Sequence, residues 1–119
     1  MLNQNFNEKV VIQAANASSV NSPCDGVTRT LLERNNYSEY AISTTLVQFE
    51  PNSSFDKHTH DFGEELFVLE GTFSDEHGNY PAGTYIRNPH GTSHSPYSDE
   101  GCKLLVKLRQ FNKMDTRKV

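Results

Sequence analysis

All five histidines of this 119-residue chain fall between positions 58 and 94. Two of them, His58 and His60, are two residues apart. In an extended strand, residues i and i+2 point to the same face, so the two imidazoles can chelate one metal ion. Asp61-Phe62-Gly63 follows as a turn-like triplet that swings the chain back. Glu64 then opens an alternating stretch in which Glu64, Leu66 and Val68 share a face. Glu65 is a rival carboxylate, but adjacent strand residues face opposite ways, so only one of the two glutamates can reach a given site. His94 comes after a second turn, Asn88-Pro89-His90-Gly91. His90 in that turn and His77 beside Gly78 read as exposed turn residues.

The elements that must position these side chains are strands. From Tyr40 onward, Thr- and Val-rich or alternating stretches are separated by Gly, Pro and Asn punctuation. Strands are expected over Ala41–Phe49, Phe55–His60, Glu64–Glu70, Thr72–Phe73, Thr84–Arg87 and Cys102–Phe111. Turns are expected at Pro51-Asn52-Ser53, His77-Gly78-Asn79 and Pro81-Ala82-Gly83. Short edge strands are expected within Val10–Tyr37, a loose polar start over residues 1–9, and a loose or briefly helical tail over 112–119. No segment keeps a helical period beyond two turns. Many short strands with regular turns predict an all-β sandwich or barrel.

Length and composition bound the function. A chain of 119 residues is one domain long, and no repeat or linker divides it. Leu, Ile, Val and Phe total 27 residues, enough for a packed core. The net charge is -4, and 6 of the 11 basic residues crowd into the last 17 positions. A basic end of that kind is a solvated strand and tail, so no nucleic-acid role is expected. No apolar run approaches the length of a membrane helix, and the polar start lacks a signal-peptide core. The expected location is therefore the cytoplasm, with no membrane partner. Cys24 and Cys102 form no spacing motif and are expected to be thiols. Cys102 shares parity with Leu104, Val106 and Leu108, which makes it a buried small hydrophobe. Tyr85 and Arg87 share parity too, and could line a pocket or the outer face.

Two spaced blocks carry more than the sketch above. The first is His58-x-His60-x3-Glu64-x6-Gly71, and the second is Gly83-x5-Pro89-x-Gly91-x2-His94. These resemble the paired blocks of the cupin superfamily, whose pattern has Asn where this chain has Ser98. Within cupins the chain resembles the ChrR-like group, through the run Gly63–Glu76, through Gly83–Pro89, and through Gly101–Leu108. The resemblance covers about residues 40–110. It implies a small single-domain jelly-roll β-barrel over 1–119, and one divalent transition metal per chain held by His58, His60, Glu64 and His94. Three neutral imidazoles and a carboxylate suit zinc, iron, manganese, nickel or copper without choosing among them. Each ligating imidazole should donate its other N–H to an acceptor, which the sequence does not name.

The resemblance implies two classes of function. Some relatives resemble dioxygenases that cleave carbon–carbon bonds in small ketones or diketones, which would make this chain a metal-dependent enzyme with a small-molecule substrate. Others resemble the cupin of ChrR-type zinc-dependent anti-sigma factors, which would make it a zinc-binding sensor or small-ligand module without catalysis. Those anti-sigma factors also carry a helical zinc domain that this chain has no room for, so sigma-factor binding is not expected. A metal that only braces the barrel is the third possibility. Cupins commonly pair through sheet edges and apolar outer faces, so the resemblance also implies a homodimer.

Overall fold

The computed structural model describes residues 2–36, 41–59 and 62–110. Among the described residues, eleven strands follow a 3-10 turn at Ala14–Asn16. They are β1 (Ser19–Asn21), β2 (Val27–Arg34), β3 (Ser43–Phe49), β4 (Ser53–Ser54), β5 (His58–Thr59) and β6 (Glu64–Asp75). Then come β7 (Gly78–Pro81), β8 (Tyr85–Asn88), β9 (Ser93–His94), β10 (Tyr97–Ser98) and β11 (Cys102–Leu108). The main sheet runs β1-β2-β3-β11-β6-β10-β4, with β7 and β8 also paired to β6, and β5 pairs with β9 alone. Every pairing is antiparallel. The all-β jelly-roll expectation holds. Among the described residues, no helix is long and apolar enough to cross a membrane.

The sheet has an inner and an outer face because its strands alternate. On β11, Cys102, Leu104 and Val106 are buried while Lys103 and Lys107 lie half-exposed. On β3, Ser43, Thr45 and Phe49 are buried at the same parity. The inner faces meet in a cluster of Val27, Phe49, Leu66, Val68, Phe73, Cys102, Leu104 and Val106. Phe73 is 2% exposed and meets Phe49 edge-on at 5.9 Å between ring centroids. Removing a side chain of that size from water stabilises the fold by roughly 2–3 kcal/mol.

Two β-bulges break the alternation, and both matter for the site. Between β6 and β11, Lys103 pairs with Glu70 but Leu104 pairs with Val68, so Leu69 is the extra residue. An extra residue reverses the parity of everything beyond it. Glu64, Leu66 and Val68 face inward on even numbers, while Phe73 and Asp75 face inward on odd ones. Between β2 and β3, Leu31 pairs with Thr45 but Glu33 pairs with Thr44, so Leu32 is the extra residue. Arg29 and Arg34, five apart, therefore reach the same interior.

Several elements differ from the sequence expectation. Strand β6 runs through Gly71 to Asp75 instead of stopping at Glu70. Gly71 lies within that strand, with φ of +72°, and a Cβ there would lie 2.1 Å from the carbonyl oxygen of Gly101. Strand β2 is eight residues long and lies between β1 and β3, not at an edge. The start of the chain is tied down over residues 2–4. Leu2 bridges to Arg34, Asn3 Nδ2 donates to the carbonyl of Leu32 at 2.7 Å, and Gln4 Nε2 donates to Glu33 at 2.8 Å. The expected strand end at Phe111 and the tail 112–119 lie outside the described residues.

Candidate metal centre

Strands β5 and β9 pair so that His58 sits directly opposite His94. Strand β6 brings Glu64 up beside them from the main sheet. One nitrogen of His58, one nitrogen of His94 and one oxygen of Glu64 lie within 4.8 Å of one another. Glu64 and His94 are buried, at 7% and 3% exposure. His60, the fourth residue of the expected set, lies outside the described residues. Glu65 takes the other face, where its carboxylate accepts a 2.9 Å hydrogen bond from the Tyr85 hydroxyl. Arg87 donates to that hydroxyl at 3.3 Å. Tyr85 and Arg87 are thus on the outer face. His77 and His90 are exposed, and His90 Nδ1 accepts a 2.8 Å bond from the Phe62 N–H.

The ring nitrogens show what the cluster can do. His58 Nδ1 lies 3.0 Å from the carbonyl oxygen of Asp56. His94 Nδ1 lies 3.2 Å from Asp75 Oδ2. A carbonyl and a carboxylate only accept, so both Nδ1 atoms must carry the proton. In the neutral rings both Nε2 atoms then present lone pairs. These two Nε2 atoms face each other at 3.1 Å. Two lone pairs at that distance repel unless an electron-pair acceptor sits between them. Two imidazoles on one tetrahedral zinc, at ~2.05 Å each, would hold their nitrogens about 3.3 Å apart. The donor set therefore fits a metal ion. Glu64 Oε1 lies 3.9 Å from His94 Nε2 and accepts a 3.0 Å bond from Asn88 Nδ2.

Asp75 and Asn88 were not singled out from the sequence. Asp75 is 5% exposed and also accepts the His77 N–H at 2.8 Å. It lies beyond the Leu69 bulge, where alternation read from Glu64 puts it on the wrong face. Tyr80 approaches the same carboxylate at 3.5 Å, and its phenol is pushed above its ordinary pKa by burial first and then by the Asp75 charge. Ser98, which replaces the Asn of the resembled pattern, is fully buried and donates a 2.6 Å bond to the carbonyl of Thr72.

A cavity of about 370 Å³ opens beside the cluster and includes His58, Glu64 and His94 in its lining. Its walls are apolar, with Phe49, Phe55, Leu66, Phe73 and Leu104 among them. It also admits Arg29, Arg34 and Arg109, none of which stood out in the sequence.

Comparison with known proteins agrees with this architecture. A family model described as the ChrR Cupin-like domain matches residues 7–112. No curated protein matches the chain. Among solved structures, the chain superposes on the acetylacetone dioxygenase of Acinetobacter johnsonii with a TM-score of 0.68 and 22% identity, covering 85% of this chain and 72% of that one. It superposes on the polyketide cyclase RemF of Streptomyces resistomycificus with a TM-score of 0.69 and 19% identity, covering 92% and 89%. Against the Rhodobacter sphaeroides SigE complex with the anti-sigma ChrR, the TM-score is 0.68 at 19% identity, covering 81% of this chain and 51% of that one. The chain thus spans about half the length of that relative. Three neighbours with different activities share one scaffold, so the likeness speaks for the fold. With the family matched over residues 7–112, the chain belongs to the ChrR Cupin-like domain family.

Proposed function

We propose that this protein is a small metal-dependent enzyme of the dioxygenase type, acting on a small ketone or diketone. One divalent transition metal per chain would be held by His58, His60, Glu64 and His94. The observation that carries the metal in this reading is the pair of imidazole Nε2 atoms facing each other at 3.1 Å, with both Nδ1 protons committed elsewhere. When bound, the metal supplies Lewis acidity and, as iron, redox chemistry with oxygen. The chain's own residues do the rest. Asp75 and the Asp56 carbonyl fix the two ring tautomers, and Asn88 orients Glu64. Phe55, Phe73 and Pro96 form dry walls beside the cluster. In this reading residues 1–119 form one domain that works in the cytoplasm.

The test begins with elemental analysis of the freshly purified protein. Near-stoichiometric metal is expected, with loss of most of it in His94→Ala. Iron-loaded protein should then consume oxygen with members of a panel of diketones and hydroxyketones. Absence of metal after reloading would remove the ligand assignment, and full iron occupancy without oxygen uptake would remove the dioxygenase reading. The alternative is a zinc-binding sensor or small-ligand module without catalysis, favoured by the likeness to the anti-sigma complex. Zinc at full occupancy with no turnover selects it.

We also propose a homodimer. A cross-strand row of Tyr85, Phe67, Leu105 and Leu46 runs over the outer face. Phe67 and Tyr85 are 41% and 49% exposed, and Leu69 beside them is 41% exposed. A second copy laid on this row would cover it.

A further inference from the structure

The chain as a whole is acidic, with 15 acidic against 11 basic residues. The cavity beside the metal cluster reverses that balance. Arg29, Arg34 and Arg109 line it, and Glu64, already a member of the metal cluster, is the acidic residue among the described lining. The reversal is built by the fold. The Leu32 bulge turns Arg34 to the same side as Arg29 and sends Glu33 outward, where it accepts a 2.8 Å bond from the Thr44 hydroxyl. Asn3 holds the bulge by donating to the carbonyl of Leu32.

Arg29 is the informative member. Of its five N–H donors, Nη2 donates to the Asn21 carbonyl at 3.3 Å, while Nε is buried with no hydrogen-bond partner among the described residues. Burial first, and the like charge of Arg34 second, push its guanidinium below the ordinary value. Arg34 and Arg109 are anchored at the cavity wall by bonds to the carbonyls of Asn36 and Ala41, at 2.6 and 3.2 Å. A buried guanidinium N–H without an acceptor is costly, and a carboxylate at Arg29 supplies one. A guanidinium fork matches a planar carboxylate. The walls between are Val47, Phe49, Leu66 and Leu104, which suit a short hydrocarbon body. Arg34 shares a cross-strand row with Ser43, Leu108 and Glu64, three strand spacings away. At ~4.8 Å per spacing that is roughly 14 Å along the sheet, and less across the curled interior.

We infer that this cavity binds a small organic acid with its carboxylate on Arg29 and Arg34, its apolar body against Phe49, Leu66 and Leu104, and its far end at the His58, Glu64 and His94 cluster. The inference rests on the proposed function only for what happens at the far end. Capture of the carboxylate needs no metal.

The experiment is calorimetric titration of the metal-free and the zinc-loaded protein with isovalerate, with its neutral isostere isovaleramide, and with inorganic phosphate. Isovalerate is expected to bind the metal-free protein at least tenfold more tightly than isovaleramide or phosphate. Arg29→Gln is expected to lower isovalerate affinity at least tenfold and to leave isovaleramide unchanged. The acid-to-amide comparison on the parent protein keeps the test decisive even where the variant does not fold. Equal affinity for acid and amide overturns the inference. So does tighter binding of phosphate, or an acid preference that appears only with zinc and survives Arg29→Gln, which would place the carboxylate on the metal. Lack of oxygen uptake with ketones, alongside intact acid binding, removes the dioxygenase reading and leaves this one standing.

Discussion

Asp75 governs what His94 can be. Its carboxylate holds the Nδ1 proton in place, so Nε2 presents its lone pair to the space it shares with His58 Nε2 and Glu64 Oε1. Asp75→Asn preserves the shape and can still accept a hydrogen bond, but it loses the charge that raises imidazole basicity. Losing such a partner weakens metal binding by roughly 10- to 100-fold. Competition against a chromogenic chelator is expected to show a drop of that size, with the far-ultraviolet circular dichroism unchanged. An unaltered affinity would mean that Asp75 serves only the β6–β7 turn, through the His77 N–H. Cys102 stands at the other extreme of chemical involvement. Its thiol is pushed up, chiefly by burial, and so stays neutral and unreactive at neutral pH. It packs as a small hydrophobe in the core, as its parity with Leu104 and Val106 predicts.

The strand that carries Glu64 also carries Asp75 because Gly71 lets β6 continue past β11. A Cβ at Gly71 would strike the Gly101 carbonyl, and the positive φ disfavours any other residue. Gly71→Ala is therefore expected to cost on the order of 3 kcal/mol, from backbone strain of ~1–2 and a comparable steric term. In a chain of this size that lowers Tm by roughly 10 °C, readable by differential scanning calorimetry. A shift under 2 °C would show that the β6–β11 crossing relaxes freely. The same element explains what was legible in the sequence. Parity from Glu64 to Val68 and from Cys102 to Leu108 can be read by counting, and it puts Glu64 and Glu65 on opposite faces, as they are in the structure. Counting fails at Leu69 and Leu32, where one residue drops out of the ladder without any Gly or Pro to announce it. Asp75 and Arg34 lie beyond those two points, so their inward orientation could not be read. The pairing of His58 with His94 was also hidden, because strands of two residues leave no periodicity to detect.

At the scale of the molecule, the inner face is committed to the core, the candidate metal site and the cavity, which leaves the outer face for association. The row Tyr85–Phe67–Leu105–Leu46 is apolar, while the flanking Lys103–Glu70 pair at 3.5 Å is exposed and contributes little. Sedimentation at tens of micromolar is expected to give twice the chain mass for the parent. Phe67→Glu, on the face away from the cluster, should give a single chain with metal content unaltered. A parent that sediments as one chain removes the dimer. The Leu32 bulge reaches further than its size suggests. Were β2 to slip by one residue and erase it, Glu33 would stand opposite Ser43 and Arg34 would turn to solvent. That end of the interior would exchange a cation for an anion with no change at any lining position. Recognition in a barrel of this kind is thus partly a matter of phase. A lineage can invert what its cavity attracts by gaining or losing one residue, and comparisons that score substitutions alone would miss the event.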